Sequence, residues 1–187
     1  YEIPEASRTA KGTPVINFLN MDQEEKIAAV IPVSEYSEDD YLIMVTKNGT
    51  IKKTSASQFS NVRKTGLNAI KLKDDDKLIA VAQSSSEDHV MLISKLGKAI
   101  IFHEEDVRGM GRNAVGVRGI NLDKGDEVVS MVLLQNEDQT VLVMTTRGYG
   151  KRTKLSDYRV QTRGGKGIYT FDKNKIRKTG PLLGAVL

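Results

Sequence analysis

The chain has 187 residues, enough for one large domain or two small ones, and 39% of them are hydrophobic, so a substantial core can form. Its 28 Lys and Arg against 24 Asp and Glu give a formal net charge of +4, which permits an anionic partner without requiring one. The absence of Cys excludes disulfides, thiolate metal sites and a Cys nucleophile, and no apolar run reaches the ~18 residues of a membrane helix.

The first residues, Tyr1-Glu2-Ile3-Pro4-Glu5, have neither the basic start nor the apolar stretch of a signal peptide. They also lack an initiator Met, and the chain ends abruptly at Gly184-Ala185-Val186-Leu187. Both ends are typical of a fragment taken from a longer protein.

A unit of about 50 residues recurs along the chain. Its clearest landmark is a basic, glycine-centred segment with an aliphatic residue four positions after the first glycine. The segments span residues 8–16, 63–70, 113–120 and 161–168, and their aligned glycines are Gly12, Gly66, Gly116 and Gly164. Self-similarity at this period predicts a repeat architecture.

Other features recur in the same order within each unit. An apolar strand opens the unit, an acidic spacer follows, and a second apolar run leads into a tight turn that contains glycine. The predicted opening strands are residues 27–31, 78–82, 128–132 and 182–186, and the second runs are 41–45, 90–93 and 141–144. The dipeptide Asn48-Gly49 between two such runs is a strong hairpin signal. Either one-turn helices or plain loops are expected near Ser55–Phe59, Glu104–Val107 and Lys154–Tyr158.

These patterns predict an all-β fold, an incomplete β-propeller-like array of ~50-residue, four-stranded blades with little or no helix. Residues 1–21 form the end of a blade, 22–72, 73–123 and 124–175 form complete blades, and 176–187 begin a further one. Because a closed ring needs more blades, the array would be an open arc whose exposed edges invite self-association.

Basic residues concentrate at the hairpin turns and the glycine segments, whereas acidic residues concentrate at the linkers. One such cluster is usually a solvated face, but clusters repeated at the blade period predict a basic belt that binds DNA phosphates. The low aromatic content and the lack of a recognition helix favour sequence-independent contact with duplex DNA over base stacking or groove reading. The candidate DNA-binding residues are Arg8, Lys11, Lys47, Lys52, Lys53, Arg63, Lys64, Lys95, Lys98, Arg108, Arg112, Arg118, Arg147, Lys151, Arg152, Lys154, Arg159, Arg163 and Lys166.

Other chemistries have weaker support. The stretch Gly164-Gly165-Lys166-Gly167 lacks the Ser or Thr and the helix of a nucleotide-binding loop, so its glycines are better explained by positive φ or close backbone approach. His89 follows acidic residues but is better explained as a solvated loop residue than as a metal ligand, and His103 with Glu104, Glu105 and Asp106 is better explained as an acidic turn at a blade edge. We therefore predict no catalytic residue, no metal and no cofactor. An interaction platform would need an apolar patch, which 5% aromatics disfavour, and a channel enzyme would need convergent titratable residues.

The stretch Gln161-Thr162-Arg163-Gly164-Gly165-Lys166-Gly167 resembles the gyrase-A box, the basic heptapeptide of the C-terminal domains of bacterial DNA gyrase A proteins. Residues 1–8, 116–120 and 148–153 are similar to the same family. The usual box has Arg where this chain has Thr162. In the family the principal box belongs to the first blade, so this box-like segment is expected in a later blade, with the principal box upstream.

The resemblance implies a β-pinwheel, a disc whose blades exchange strands and whose basic perimeter bends DNA. It implies a role in ATP-dependent negative supercoiling by gyrase, a type II topoisomerase, within an A2B2 holoenzyme of gyrase A and gyrase B in the bacterial cytoplasm at the nucleoid, without a membrane. Strand cleavage, ATP and Mg²⁺ would belong to other parts of that holoenzyme. The corresponding C-terminal domain of topoisomerase IV is the alternative, and the intact glycine-rich segment favours gyrase.

Overall fold

The computed structural model describes residues 3–22, 24–33, 35–62, 65–84, 87–136 and 138–187. The candidate DNA contacts Arg63 and Lys64 lie outside the described residues. The described strands are β1 (Tyr41–Thr46), β2 (Thr50–Ser55), β3 (Leu78–Ser84), β4 (His89–Ser94), β5 (Lys98–His103), β6 (Val117–Arg118), β7 (Val128–Leu134), β8 (Thr140–Thr145), β9 (Gly150–Lys154), β10 (Ile168–Tyr169) and β11 (Leu182–Val186).

The strands form three antiparallel sheets, which are the blades of the array. Their strand orders are β3-β1-β2-β6 in the first blade, β7-β4-β5-β10 in the second and β11-β8-β9 in the third. Each blade is built on one hairpin, and its first strand in this order (β3, β7 or β11) follows that hairpin in the chain. We call β3, β7 and β11 the inner strands, because β7 packs between β3 and β11 and so joins the blades.

The outermost strand of a blade comes from further along the chain. Strand β6 joins the first blade although it follows the β4–β5 hairpin of the second, and β10 joins the second blade although it follows the β8–β9 hairpin of the third. This is the exchange of strands between neighbouring blades that the resemblance implied. The all-β, propeller-like fold predicted from the repeats is confirmed.

The hydrophobic core lies between the blades. Because successive side chains of a strand point to opposite faces, β4 buries Val90 and Leu92 against the first blade and Met91 and Ile93 against the third. The second blade is therefore covered on both faces, which explains why its hairpin strands are apolar without alternation.

The predicted turns are confirmed. Gly49, Gly97 and Gly148 take positive φ in the three hairpin turns, at 82°, 95° and 78°. Where one-turn helices or loops were expected, the structure has 3₁₀ helices at Ala56–Phe59, Glu104–Asp106 and Leu155–Asp157. The sequence did not predict three further elements. These are 3₁₀ turns at Val15–Asn17 and Lys173–Lys175 and a short helix, α1, at Ile176–Thr179. Within the described residues, no helix is long and apolar enough to cross a membrane.

The predicted strand at residues 27–31 is wrong, because the described residues 24–33 contain no strand. Ile27 and Val30 are 46% and 77% exposed. The equivalent segments β3, β7 and β11 each pair with the hairpin that precedes them, and no hairpin precedes residue 27 among the described residues. An inner strand therefore forms only where its hairpin partner is present.

The blades are also offset from the predicted sequence units. The predicted boundaries at 72/73 and 123/124 separate each hairpin from the inner strand that pairs with it. The sequence unit describes the repeat along the chain, whereas each blade combines strands from consecutive units.

Candidate nucleic-acid interface

The last two glycine segments, residues 113–120 and 161–168, form the outer edges of the first and second blades. In β6, Arg118 pairs with Thr50, and in β10, Tyr169 pairs with Lys98. Each segment is also fixed to the tip of its hairpin, since Gly119 N–H donates to the Gly49 carbonyl at 2.7 Å and Thr170 N–H donates to the Gly97 carbonyl at 2.8 Å. The backbone of these segments therefore has a defined position on this outer edge, which we call the rim.

The structure corrects the alignment of the last two glycine segments by three residues. Gly116 precedes β6 as Gly167 precedes β10, so Gly167 and not Gly164 is its equivalent. A Cβ on Gly116 would lie 2.6 Å from the Ile51 carbonyl oxygen, and one on Gly167 would lie 2.5 Å from the Ala99 carbonyl oxygen. Both glycines also have positive φ, so they are required where the segment crosses the neighbouring hairpin strand.

With this correction, two pairs of arginines occupy equivalent positions. Gly109 bridges to Lys53 in the first blade as Val160 bridges to Ile101 in the second. Arg108 and Arg159, the residues before these bridges, are therefore equivalent, and both are exposed. By the same spacing Arg112 is equivalent to Arg163, and both are half-buried.

The structure sorts the predicted contacts by accessibility. Exposed are Arg8, Lys11, Arg108, Arg118, Arg147, Lys151, Arg152, Lys154, Arg159 and Lys166. Half-buried are Lys47, Lys95, Arg112 and Arg163. Buried are Lys52, Lys53 and Lys98. DNA contact by any of them stays a prediction.

Lys52 lies entirely beneath the glycine segments. Its Nζ donates to the carbonyls of Ala69 and Arg112, each at 2.5 Å. Burial, with a smaller contribution from the Arg112 charge, lowers the pKa of Lys52 from 10.5 to about 8. The side chain therefore supports the backbone of the basic segments from inside the protein.

Lys53 and Lys98 have acidic partners. Lys53 Nζ lies 2.7 Å from Glu104 Oε1, in a pair where both side chains are buried, and 4.3 Å from the ring centre of Tyr41. Lys98 Nζ lies 2.7 Å from Asp123 Oδ2, and this hydrogen bond is the main cause of the lowered pKa of Asp123. These ammonium groups are engaged within the protein.

The expectation that hairpin bases recur at equivalent positions in every blade is wrong. The pairings of Met44 with Lys52, Leu92 with Ile100 and Val143 with Lys151 show that the equivalents of Lys52 are Ile100 and Lys151. The second blade has aliphatic residues there because both of its faces are buried.

Lys151 and Arg152 are exposed because no described strand pairs with the outer edge of β9. The equivalent residues of the first blade, Lys52 and Lys53, are covered by β6 and the segment before it. The accessibility of these two bases therefore reflects the open edge of the third blade.

Arg163 holds two segments together. Its Nε donates to the Asp106 carbonyl at 2.9 Å, and its Nη1 donates to the Arg118 carbonyl at 2.5 Å. Gly164 N–H adds a bond to the Gly119 carbonyl at 2.8 Å. The box-like segment is thus anchored to the preceding glycine segment, and Lys166 remains its exposed base.

Bases that follow the box-like segment were not predicted from the sequence. Lys173 Nζ lies 5.5 Å from the ring centre of Tyr169 on the outermost strand. Arg177 shares a shallow cleft with Tyr169 and Lys98. The signal was the basic run Lys173-Asn174-Lys175-Ile176-Arg177-Lys178, which lies after the last aligned glycine segment and so escaped a search based on those segments.

His89 and His103 are partners across the β4–β5 hairpin, with ring centres 4.2 Å apart. In the part of the chain that the structure describes, no group of three or more His, Cys, Asp or Glu side chains is arranged to hold a metal.

A sequence model of the family described as DNA gyrase C-terminal domain, beta-propeller, matches residues 1–34, 40–85, 88–135 and 139–178. The DNA gyrase A protein of Lawsonia intracellularis (strain PHE/MN1-00) is 44% identical over 187 residues, which cover 99% of this chain and 23% of that protein. The chain thus spans less than a quarter of the length of the curated relatives it matches.

Two solved structures are similar over almost the whole chain. The C-terminal domain of DNA topoisomerase IV has a TM-score of 0.85 at 30% identity, over 94% of this chain and 54% of that one. A DNA gyrase A C-terminal domain has a TM-score of 0.80 at 28% identity, over 95% of this chain and 58% of that one.

Proposed function

The chain belongs to the family of DNA gyrase C-terminal domains, and from this premise we propose that it binds duplex DNA without sequence preference and bends it around its outer edge. The observation that carries the proposal is the position of four exposed bases along the outer edges of the first two blades, on the glycine segments or shortly before them. These bases are Arg108, Arg118, Arg159 and Lys166.

Rigid placement of these bases supports bending. Smoothly bending a 20–30 base-pair site by 40–90° costs on the order of 1–6 kcal/mol, which phosphate contacts along a curved rim offset. Lys52 and Arg163 hold the backbones of the segments through hydrogen bonds to carbonyl groups, so the backbone that carries the exposed bases is fixed before DNA binds. Sequence then matters only through the deformability of the duplex.

In the parent protein, this domain would support ATP-dependent negative supercoiling by gyrase. We assign no catalytic residue, metal or cofactor to the chain, since strand cleavage, ATP and Mg²⁺ would belong elsewhere in the holoenzyme. Its partners would be DNA, the rest of gyrase A, and gyrase B, in an A2B2 assembly in the bacterial cytoplasm. The open edge of β9 would also allow self-association of this chain.

The second candidate is the corresponding C-terminal domain of topoisomerase IV, favoured by the TM-score of 0.85 to such a domain. The 44% identity to gyrase A sequences over the whole chain supports gyrase instead. The parent enzymes separate the candidates: the purified parent protein, reconstituted with its ATPase partner, should introduce negative supercoils into relaxed DNA. ATP-dependent relaxation without supercoiling would favour the second candidate.

DNA binding is tested by fluorescence anisotropy with two unrelated duplexes across a salt series. Similar affinities for both duplexes and a steep loss with salt are expected, because phosphate contacts release counterions. Arg118→Ala with Lys166→Ala should lower the salt slope by about 2, roughly one per contact. Lys77→Ala, an exposed base beside the inner strand β3, is the matched control. No binding at low salt would overturn the proposal.

Bending into a wrap needs a separate measurement. Nicked circular DNA is ligated with and without the chain, and the linking number is compared after the protein is removed. A shift in linking number supports wrapping, whereas tight binding without a shift would restrict the chain to holding DNA.

A further inference from the structure

An exposed aromatic ring lies among the bases of the rim. Tyr169, in the outermost strand β10, is 47% exposed. Its ring centre lies 5.8 Å from Lys98 Nζ and 5.5 Å from Lys173 Nζ. Two ammonium groups near one ring restrict its orientation through cation–π attraction, so the ring is held in place while much of its surface faces solvent.

Two shallow clefts border this ring, and bases outnumber acids in each. One includes Lys98, Lys173 and Arg177 with Asp123 and Asp126, and the other includes Lys151 and Lys173 with Asp172. The lowered pKa of Asp123 is due first to its hydrogen bond with Lys98, with smaller contributions from the charges of Lys166 and Lys173. Lys166 and Lys173 are thus close to the same carboxylate.

The charges near the ring do not cancel, because each of the two clefts has one more base than it has acids. Asp123 pairs with Lys98, whose Nζ lies 2.7 Å from it. Lys166 and Lys173 are both exposed, and no carboxylate among the described residues forms an ion pair with either. Two cations without an ion-pair partner in the described part of the chain therefore flank an aromatic ring on the rim.

The preceding blade has a base at this position. Arg118 in β6 pairs with Thr50 in β2 as Tyr169 in β10 pairs with Lys98 in β5. Arg118 and Tyr169 are both exposed. Equivalent strands of neighbouring blades present their side chains in equivalent directions. A duplex that reaches Arg118 on one blade would therefore meet Tyr169 on the next.

Building on the DNA-binding role above, we propose that Tyr169 is a further DNA-contact residue. Its uncharged ring packs against the sugars and base edges of the duplex, while Lys166 and Lys173 bind the flanking phosphates. The ring contributes apolar contact where the duplex bends over the second blade. Such a contact favours steps that open easily, so flexible pyrimidine–purine steps should bind best at this point.

The test separates the ring from the cations. Tyr169→Ala should weaken binding roughly five- to tenfold at every salt concentration, leaving the salt slope unchanged, because packing of the ring against sugars and base edges is non-ionic. Tyr169→Phe should bind like the unmodified chain. Lys173→Ala should lower the salt slope by about 1. Tyr36→Ala is the matched control, since Tyr36 is 40% exposed in an acidic linker.

A direct readout is available because the chain contains no Trp. In the Tyr169→Trp variant, addition of duplex should quench the single indole, whereas the Tyr36→Trp variant should show no change. This measurement does not depend on the folding of the alanine variant, whose thermal unfolding is recorded alongside.

The outcomes distinguish this inference from the proposed function. Failure of the unmodified chain to bind DNA overturns both. Normal salt-dependent binding with full affinity of Tyr169→Ala and no quenching in Tyr169→Trp overturns the contact alone. A reduced salt slope in Tyr169→Ala would also overturn it, because the ring would then act only by placing the lysines.

Discussion

Lys52 should make the stability of the protein rise with pH above neutrality. Its folded-state pKa is about 8, against 10.5 when unfolded. A lysine with a depressed folded pKa binds fewer protons in the folded state between these two values, so stability increases across that window and is insensitive to this group well below it. Between about pH 7 and about pH 9 the expected gain is about 1 kcal/mol.

The assay is urea unfolding at both pH values for the unmodified chain and for Lys52→Met. Methionine keeps an unbranched side chain of similar length but removes the titrating group, so every other group cancels in the difference between the two proteins. The gain of about 1 kcal/mol corresponds to a relative rise in Tm of about 2–4 °C for a domain of this size. Thermal unfolding followed by circular dichroism checks this shift.

Equal pH dependence of the two proteins would refute the reasoning. It would mean that the hydrogen bonds to the Ala69 and Arg112 carbonyls offset the burial of the ammonium group, which would then keep its ordinary pKa. A steeper pH dependence in Lys52→Met would contradict the sign of the argument.

Three other changes test how the blades are held together. Glu104→Gln should lower the free energy of unfolding, measured with denaturant, by about 3–5 kcal/mol, because it leaves the buried ammonium of Lys53 without its charged partner. A decrease of less than about 1 kcal/mol would contradict this reasoning. Gly167→Ala should destabilise the chain by at least about 1 kcal/mol more than Gly148→Ala, because both glycines have positive φ but only a Cβ at position 167 meets a carbonyl oxygen. Equal Tm values for the two variants would count against this close approach. Glu127→Gln removes two partly exposed ion pairs and should cost no more than about 1 kcal/mol at neutral pH. Because the hydrogen bonds to Lys95 and Lys47 lower the pKa of Glu127 from 4.5, the difference from the unmodified chain should shrink only below pH 4.5 and vanish as pH falls through the lowered folded-state pKa, as unfolding across an acid series would show.

Much of the blade structure could be predicted because its signals are local. The dipeptide Asn48-Gly49 specifies a hairpin turn through the positive φ that Gly49 adopts. Alternating apolar residues specify a strand that is buried on one face, and a continuous apolar run specifies a strand that is buried on both faces. Of the one-turn helices after the hairpins, Ala56–Phe59 has a local signal, because Ser55 at the end of β2 caps it by accepting from Ser57 N–H. Repetition of these signals at about 50 residues predicted the blade array.

The candidate interface depended on contacts between distant parts of the chain. From the sequence, Lys52 and Lys53 are two more candidate surface bases, yet both are buried. The ammonium of Lys52 donates to the carbonyl of Arg112, 60 residues away, and that of Lys53 pairs with Glu104. The sequence pattern selected Gly164, because Ile168 follows it by four positions whereas Phe171 follows Gly167. Only the pairing of β10 with the neighbouring hairpin shows that Gly167 is the equivalent of Gly116.

The sequence by itself therefore determined the family, the hairpins with their turns, and the period of the array, since each depends on a few neighbouring residues. Only the tertiary structure decided which strands share a blade, which bases remain exposed and that Tyr169 lies on the rim. The physical reason is strand exchange: a β-strand forms only against a partner, and in this fold the partner of an outer strand belongs to the preceding blade.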